Sequence, residues 1–529
     1  MAASLGIYFG GSTTCLAISK DGKTEVITND SGDRVTPAIV AYNGNDKDVG
    51  LSAKQGKIRN AVNTICHVKH TLGRRVEDNI VKQKIRDGPT KIIDKSGYPL
   101  YQVDYKDKVT YVTPTAVATL IFKKLKEIAL HQGGIGDDRD VVLTIPLDFS
   151  ETQRRSLCEA ATDAGFNILR IISEPSAAVL AYGVCDTKSA DKSNVLVYRL
   201  GGTSLTITIL QVSNGMLRVL ASETDLCCGG DTFTSLLAKS CASDFNRTRN
   251  CNMSDNKRAM NKLHGACEIS KHILSTLPSA KCSIDSLYDG IDYHTNISRV
   301  KFEALINSHA QQSIELLKKL ITEADLKPDH IHKVLLVGGS TRIPKLQQMI
   351  RDVLPKAEML DTISPDEVIA LGAAKEAALL STRDDSIQLK EADIMASCCT
   401  KAVALKVIDP TEDANLEIVI PQYSYLPIRR QYDFNIGKEQ TSVCVQIYET
   451  QEGASIEESS LLAQIVIDGL ETDSDEDFHV TSVFHYRRDG SLHIICCEDI
   501  TGKTEEILIG PVGHGSSQSD TILNEQRDA

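Results

Sequence analysis

Two stretches of the chain share one pattern, in which an apolar run reaches a Gly-Gly pair, passes hydroxyl-bearing residues and returns to an apolar run. One covers residues 6–18, and the other covers residues 195–210, which read VLVYRLGGTSLTITIL. Such a pattern predicts two buried strands joined by a tight turn in which glycine supplies backbone freedom. The repetition predicts a duplicated, two-lobed fold in which a phosphate-binding hairpin from each lobe faces a central cleft. The candidate phosphate-binding residues are Gly10, Gly11 and Ser12 in the first turn and Gly201, Gly202 and Thr203 in the second.

A third glycine turn stands in residues 334–344, which read VLLVGGSTRIP. It follows an apolar run that predicts a strand and precedes a helical pattern. Backbone N–H groups and a helix N-terminus at this place suit an anion or a nucleoside. Each Gly-Gly pair taken alone is weak evidence and favours a tight structural turn over a ligand site.

The periodicity divides the chain into an α/β half and an all-β half. Strand-like and helical segments alternate up to about residue 380, and residues 115–130 place apolar side chains on one helical face. Ser364 to Glu367 has the sequence of a helix capping box. Short alternating strands with turn signals follow, as in residues 484–494, and predict a β-sandwich. The expected boundaries are residues 1–383 for a nucleotide-binding domain, 384–394 for a linker, 395–510 for the β-domain and 511–529 for a disordered tail.

Composition narrows the class of protein. The net charge of −13 over 529 residues argues against direct nucleic-acid binding by the folded body. The sequence contains no apolar run of about 18 residues, so no membrane span is expected. The 15 cysteines are odd in number, include vicinal pairs and form no C-x-x-C motif, which is typical of a reduced cytosolic protein.

Four longer motifs resemble one family closely. The segments VGGSTRIPKLQQMI, IISEPSAAVLAYG, TIPLDFSETQR and SPDEVIALGAAKEAAL are similar to the nucleotide-binding domain of the seventy-kilodalton heat-shock chaperones, which has an actin-like fold. The resemblance extends over about residues 4 to 510. It implies an α/β, actin-like, two-lobed nucleotide-binding domain followed by a β-sandwich substrate-binding-like domain, with ATP as the cofactor.

The resemblance also implies roles for individual residues. Lys69 matches the family's catalytic lysine, and Glu174 matches its cleft glutamate. The residues that match the family's adenosine pocket are Glu268, Lys271, Ser275, Gly338, Gly339, Ser340, Arg342 and Asp366. Without the family, the spacing of Glu268 and Lys271 would favour a surface salt bridge.

Several positions depart from the family pattern. Tyr8, Arg199 and Thr206 stand where the family has the aspartates that organise Mg²⁺ and the attacking water, and Gly11 replaces a threonine. Phosphoryl transfer depends on positioned charge, and the loss of one such group typically costs about 10²–10³ in rate. The resemblance therefore implies ATP binding with little hydrolysis and no predicted metal ligands. Arg199 has two interpretations, since its guanidinium either lies against the nucleotide phosphates or pairs with a local carboxylate or solvent.

The second half departs as well. The segment Ser386–Ile394 is charged where the family has a hydrophobic linker, and the sequence continues into no helical lid after the β-domain. These features resemble a divergent cytosolic branch of the family. Membership of that branch implies a stable complex with a zuotin-type J-domain protein, indirect attachment to the ribosome and assistance to a conventional chaperone that acts on nascent polypeptides. Two alternatives remain open, an active ATP-driven chaperone, favoured by Lys69 and Glu174, and an actin-like scaffold that binds no nucleotide.

Overall fold

The computed structural model describes residues 3–132, 140–184, 192–213, 216–381, 399, 401–408, 416–424, 426–436, 442–451, 454–469, 478–487, 491–498 and 502–510. The chain divides into two compact units, one formed by Met1–Leu147 with Arg155–Gln388 and the other by Asp148–Arg154 with Leu389–Ala529. The predicted linker at 384–394 and the predicted tail at 511–529 lie outside the described residues.

The chain before residue 185, termed lobe I, is built around one mixed sheet. Its strands are β1 (Ser4–Phe9), β2 (Thr13–Lys20), β3 (Lys23–Val26), β4 (Thr36–Pro37), β5 (Ile39–Asn43), β6 (Asp46–Val49), β7 (Thr64–Cys66), β8 (Lys91–Lys95), β9 (Tyr98–Tyr105), β10 (Lys108–Val112), β11 (Asp140–Ile145) and β12 (Asn167–Ser173). Its helices are α1 (Leu51–Gly56), α2 (Asn79–Asp87), α3 (Pro114–Gln132), α4 (Glu151–Asp163) and α5 (Glu174–Ala181). The main sheet has the order β12-β11-β1-β2-β3, with β4 paired to β2, and two small sheets have the orders β10-β9-β8 and β6-β5-β7.

The chain from residue 192 to residue 360, termed lobe II, repeats this plan. Its strands are β13 (Ser193–Leu200), β14 (Leu205–Ser213), β15 (Met216–Asp225), β16 (Ser279–Tyr288), β17 (Ile291–Ser298), β18 (Lys333–Val337) and β19 (Glu358–Leu360). Its helices are α6 (Gly230–Arg249), α7 (Lys257–Leu274), α8 (Arg299–Glu323) and α9 (Pro344–Val353), and α10 (Val368–Ser381) follows and packs on β1, β2 and α5. The main sheet has the order β15-β14-β13-β18-β19, and β16 pairs with β17.

The two main sheets have the same topology. In each, the first strand of a hairpin pairs antiparallel with the second strand and parallel with a later strand, so that β1, β2 and β11 correspond to β13, β14 and β18. Every residue of β13 except the first is buried, as expected for a strand covered on both faces. The duplicated α/β fold predicted from the two Gly-Gly stretches is confirmed.

The second unit contains two four-stranded antiparallel sheets. Its strands are β20 (Ala402–Ile408), β21 (Glu417–Ile420), β22 (Ile428–Ile436), β23 (Ser442–Thr450), β24 (Ser460–Asp468), β25 (Phe478–Tyr486), β26 (Leu492–Glu498) and β27 (Thr504–Ile509). The sheet orders are β21-β20-β23-β24 and β22-β25-β26-β27. Val443, Val445 and Ile447 alternate into a core shared with Phe484 and Ile494. The predicted β-sandwich is therefore confirmed.

One local prediction is wrong. The sequence Ser364 to Glu367 does not form a capping box, because α10 begins only at Val368. The Ser364 hydroxyl instead accepts a hydrogen bond from Arg342 at 2.8 Å, and the Glu367 carboxylate pairs with Arg34 at 2.8 Å. These tertiary contacts take both side chains that the cap would use.

Among the described residues, none of the helices has the length and apolar character needed to cross a bilayer.

Candidate functional site

The two glycine hairpins lie directly against each other. In the first, the Gly10 amide donates to the Thr13 carbonyl at 3.0 Å, and in the second the Gly201 amide donates to the Ser204 carbonyl at the same distance. A Cβ atom on Gly11 would collide with the Thr203 hydroxyl, and one on Gly202 would collide with the Ser12 hydroxyl. Glycine is therefore required at both places because the turns approach each other so closely.

A cleft opens between these hairpins and the third glycine turn. Gly338 has a φ of 88° there, and its amide donates to the Pro365 carbonyl at 2.8 Å. This left-handed conformation strongly favours glycine. The cleft is lined by Tyr8, Gly10, Gly11, Ser12, Thr13, Arg199, Gly201, Gly202, Thr203, Val337, Gly338, Gly339, Pro365, Asp366 and Ile369.

A buried ionic cluster stands beside the hairpins. Glu174 begins α5, and its Oε1 accepts from Lys69 Nζ at 2.7 Å while its Oε2 lies 2.6 Å from Arg199 Nε. The three side chains are no more than 8% exposed. Burial alone would raise the pKa of Glu174, but the charges of Arg199 and Lys69 outweigh it and lower that pKa. Glu174 is therefore held as a carboxylate between two cations.

Arg199 also joins the other two positions that depart from the family pattern. Its Nη2 donates to Tyr8 Oη at 3.1 Å, and its Nη1 donates to Thr206 Oγ1 at 3.4 Å and to Ser204 Oγ at 3.2 Å. Arg199 therefore pairs with a local carboxylate, Glu174, and its contact with nucleotide phosphates stays a prediction. The residues at positions 8, 199 and 206 form one hydrogen-bonded set.

Lys271 and Ser340 meet around Gly230, at the start of α6. Lys271 Nζ donates to the Gly230 carbonyl at 2.9 Å and to Thr234 Oγ1 at 2.8 Å. Ser340 Oγ donates to the Gly201 carbonyl at 3.0 Å, which ties the third glycine turn to the second hairpin. Burial lowers the pKa of Lys271.

The remaining residues of the expected adenosine pocket are placed differently. Glu268 pairs with Lys54 of lobe I at 3.3 Å, so its ion pair crosses between lobes and does not run along α7. Arg342 pairs with Asp366 at 3.0 Å, and Ser275 Oγ donates to the Lys271 carbonyl at 3.3 Å. Gly338, Gly339 and Asp366 line the cleft, whereas the other five residues of this group stand outside its lining.

Sequence reasoning missed a second set of polar contacts between the lobes. His67 Nε2 lies 2.9 Å from Asp231 Oδ2, and His70 Nε2 lies 3.0 Å from Thr203 Oγ1. The signals were present, since two histidines flank Lys69, and Asp231 follows a fourth glycine pair at the beginning of α6. Burial alone would raise the pKa of Asp231, but the hydrogen bond from His67 and the charge of Lys271 contribute to lowering it below its ordinary value.

The cleft suits a polyphosphate but not Mg²⁺. Ser12 Oγ is buried and has no hydrogen-bond partner among the described residues, so a phosphate oxygen would satisfy it. Lys69 and Arg199 carry two positive charges against the single negative charge of Glu174. Mg²⁺ prefers oxygen ligands, carboxylates above all. Asp366 supplies the carboxylate among the cleft-lining residues, and Arg342 already pairs with it.

Comparisons with known proteins agree with this geometry. The model of the family described as Hsp70 protein matches residues 4–528. The curated heat shock 70 kDa protein 14 of Danio rerio is 44% identical over 509 residues, which cover 96% of this chain and 98% of that protein. The proteins of the same name from Bos taurus and Homo sapiens are 43% and 42% identical over 507 residues, covering 96% of this chain and 99% of each relative. With its duplicated lobes, three glycine turns and β-sandwich, the chain belongs to the Hsp70 family of ATP-binding chaperones.

Proposed function

We propose that this chain is an ATP-binding, poorly hydrolysing chaperone component of the cytosol. In this proposal it pairs with a zuotin-type J-domain protein in a ribosome-associated complex and assists a conventional chaperone in folding nascent polypeptides. The observation that carries the proposal is the 2.6 Å contact between Arg199 and Glu174, which puts a guanidinium where the family has a Mg²⁺-organising aspartate.

The residues around the cleft favour holding ATP over cleaving it. Bound ATP supplies a polyphosphate whose charge needs compensation, and Lys69 and Arg199 provide cations near both hairpins. Hydrolysis also needs a group that accepts a proton from water. Burial raises the pKa of Tyr8, so its phenol stays protonated, while the Arg199 guanidinium and the Thr206 hydroxyl are not bases that take a proton from water at neutral pH. Both oxygens of Glu174 are engaged by cations, and the cleft-lining carboxylate of Asp366 pairs with Arg342.

The partnership with a J-domain protein is supported by resemblance. The relatives with 42–44% identity all carry the name heat shock 70 kDa protein 14, and the match spans nearly their full length. Attachment to the ribosome through a partner agrees with the net charge of −13, which disfavours direct contact with RNA. A long-lived subunit interface of this kind typically buries upwards of about 2,000 Å².

Two experiments test the proposal. Single-turnover hydrolysis of radiolabelled ATP should be at least about 10³-fold slower than in a conventional Hsp70 measured in parallel. Affinity purification from cytosol should recover one J-domain protein in stoichiometric amount together with ribosomal subunits, and the ribosomal subunits should disappear when that protein is depleted. Equal hydrolysis rates would contradict the catalytic part of the proposal. Recovery of ribosomes without a J-domain protein would contradict the part that concerns the partner.

A further inference from the structure

One short turn of lobe I reaches every part of the phosphate site. His67 precedes a single 3₁₀ turn, Val68–His70, and the four residues are termed the 67–70 turn. Lys69 Nζ donates to the Phe9 carbonyl at 2.7 Å, at the end of the strand that leads into the first hairpin. His70 contacts Thr203 of the second hairpin, and His67 contacts Asp231 at the start of α6. The 67–70 turn therefore links the two lobes beside both hairpins.

The partners of His67 determine its protonation. Lys84 Nζ lies 2.9 Å from Nδ1 of His67. An ammonium group can only donate, so Nδ1 accepts and the ring proton lies on Nε2, which donates to Asp231 Oδ2 at 2.9 Å. Burial lowers the pKa of His67, which agrees with a neutral ring. His67 thus connects a cation of lobe I to a carboxylate of lobe II.

Asp231 is in turn coupled to the second hairpin. The amides of Gly230 and Asp231 donate to the carbonyls of Gly201 and Gly202 at 3.0 Å and 2.8 Å. The first turn of α6 therefore fixes the backbone of this hairpin from behind. A contact that anchors Asp231 also anchors the two glycines that face the first hairpin.

The backbone of His67 adds a separate observation. Its φ is 58°, in the left-handed region that residues other than glycine seldom adopt, although Asn, Asp and His adopt it more often than the rest. Such a conformation persists only where surrounding contacts hold it, and these positions concentrate at functional sites. The contacts of His67 are the hydrogen bond from the His70 amide to its carbonyl at 3.0 Å and the contacts of its ring with Lys84 and Asp231.

We propose that His67 is a positioning residue that holds the second phosphate hairpin against the first and so sets how long the cleft retains its nucleotide. The proposal rests on the nucleotide binding proposed above. Tyr8, Arg199 and Thr206 replace the family's aspartates, so the hairpins have no carboxylates at these positions with which to share a metal ion. Side-chain contacts then keep the lobes together. His67 acts through Asp231 and does not itself line the cleft.

A double-mutant cycle in the full chain tests this role. We expect His67→Ala and Asp231→Ala each to accelerate release of a fluorescent ATP analogue by about tenfold, since each removes a hydrogen bond to a charged group. The double variant should release it no faster than either single variant, because the two changes remove one contact. His67→Gln keeps an N–H donor at the same reach and should restore slow release. The exposed His294→Ala serves as the control.

A second readout works without nucleotide. In nucleotide-free protein, His67→Ala should accelerate hydrogen exchange at the Gly230 and Asp231 amides, while His67→Gln and His294→Ala should not. Additive effects in the cycle, or unchanged exchange at these amides, would overturn the role of His67. If the unaltered chain binds no ATP analogue, the proposed function fails instead, and hydrogen exchange alone decides whether His67 positions the hairpin.

Discussion

Arg199 Nε lies 2.6 Å from Glu174 Oε2, and this contact joins the hairpin of lobe II to the first helix residue of α5. Lys69 binds the other carboxylate oxygen at 2.7 Å, and Tyr8 and Thr206 bind the guanidinium. A buried network of this kind is destabilised when any one of its members loses its partner. The three replacements relative to the family pattern therefore depend on one another, and each one stabilises the others.

Truncation of Arg199 should destabilise the first unit. Arg199→Ala leaves Glu174 buried with Lys69 as its remaining cation and removes the partner of Tyr8, so we expect the free energy of unfolding to fall by about 3 kcal/mol. Urea unfolding followed by circular dichroism measures the change. Arg247→Ala is the matched control, because Arg247 is 83% exposed and its pair with Asp244 at 3.5 Å should contribute less than about 1 kcal/mol. Equal losses in both variants would contradict this account.

The same cluster predicts a dependence of stability on pH. Burial alone would raise the folded-state pKa of Glu174, but the charges of Arg199 and Lys69 outweigh burial. This pKa therefore lies below the ordinary value of about 4.3. Its contribution to stability is therefore fully present well above that pH and is lost as the pH falls through the folded-state pKa. The stability difference between the unaltered chain and Glu174→Gln should be constant from pH 7 to about 5.5 and should shrink below about 4.3.

The control for this measurement is Glu159→Gln, because Glu159 is exposed and belongs to the same lobe. Its stability difference from the unaltered chain should stay small throughout. A difference for Glu174→Gln that is the same at pH 7 and pH 3.5 would show that Glu174 is not held as a carboxylate.

ATP affinity should depend little on Mg²⁺. The cleft has cations from Lys69 and Arg199 and lacks the carboxylates at positions 8, 199 and 206 that the family uses, so a chelator should change the dissociation constant by less than about threefold. Titration calorimetry with Mg²⁺ and with excess chelator measures this, and a conventional Hsp70 provides the comparison. A loss of binding of about a hundredfold in chelator would mean that other groups hold the metal.

The sequence predicts the framework of the site better than its interior. The alternation around Gly10 and Gly201 is local, so it identifies both hairpins and the duplicated sheets. The partner of Arg199 is Glu174, which lies 25 positions away in the chain. The sequence pattern alone therefore left Arg199 with two interpretations. The structure adds the ion pair between Arg199 and Glu174, which no local pattern in the sequence reports.

Tertiary contacts also explain the predictions that failed or were missing. Ser364 has the local sequence of a cap, but its hydroxyl accepts a hydrogen bond from Arg342, which also pairs with Asp366. His67 and Asp231 are separated by more than 160 residues, and neither has an unusual sequence context apart from the neighbouring Lys69 and glycine pair. Contacts across the cleft of this kind become visible only after the lobes are assembled.

Restoration of the family's threonine at position 11 should weaken the site and not repair it. The Cβ of Gly11→Thr would collide with Thr203 Oγ1 and would lie 3.4 Å from Thr203 Cβ, so Thr203 must shift or the hairpins must separate. Overpacking of this kind typically costs about 1–3 kcal/mol, which corresponds to roughly tenfold weaker ATP binding if separation opens the phosphate site. Thr203→Ala removes the colliding hydroxyl, so the double variant should recover the part of the affinity that the collision costs, but not the part that the Thr203 hydroxyl itself supplies. Gly265→Ala in α7 is the control, because no atom lies within 4 Å of its added Cβ, and it should leave ATP affinity unchanged. Calorimetric titration of the four proteins decides the matter, and ATP hydrolysis restored by Gly11→Thr alone would show that the threonine hydroxyl, and not the aspartates, is the missing catalytic element.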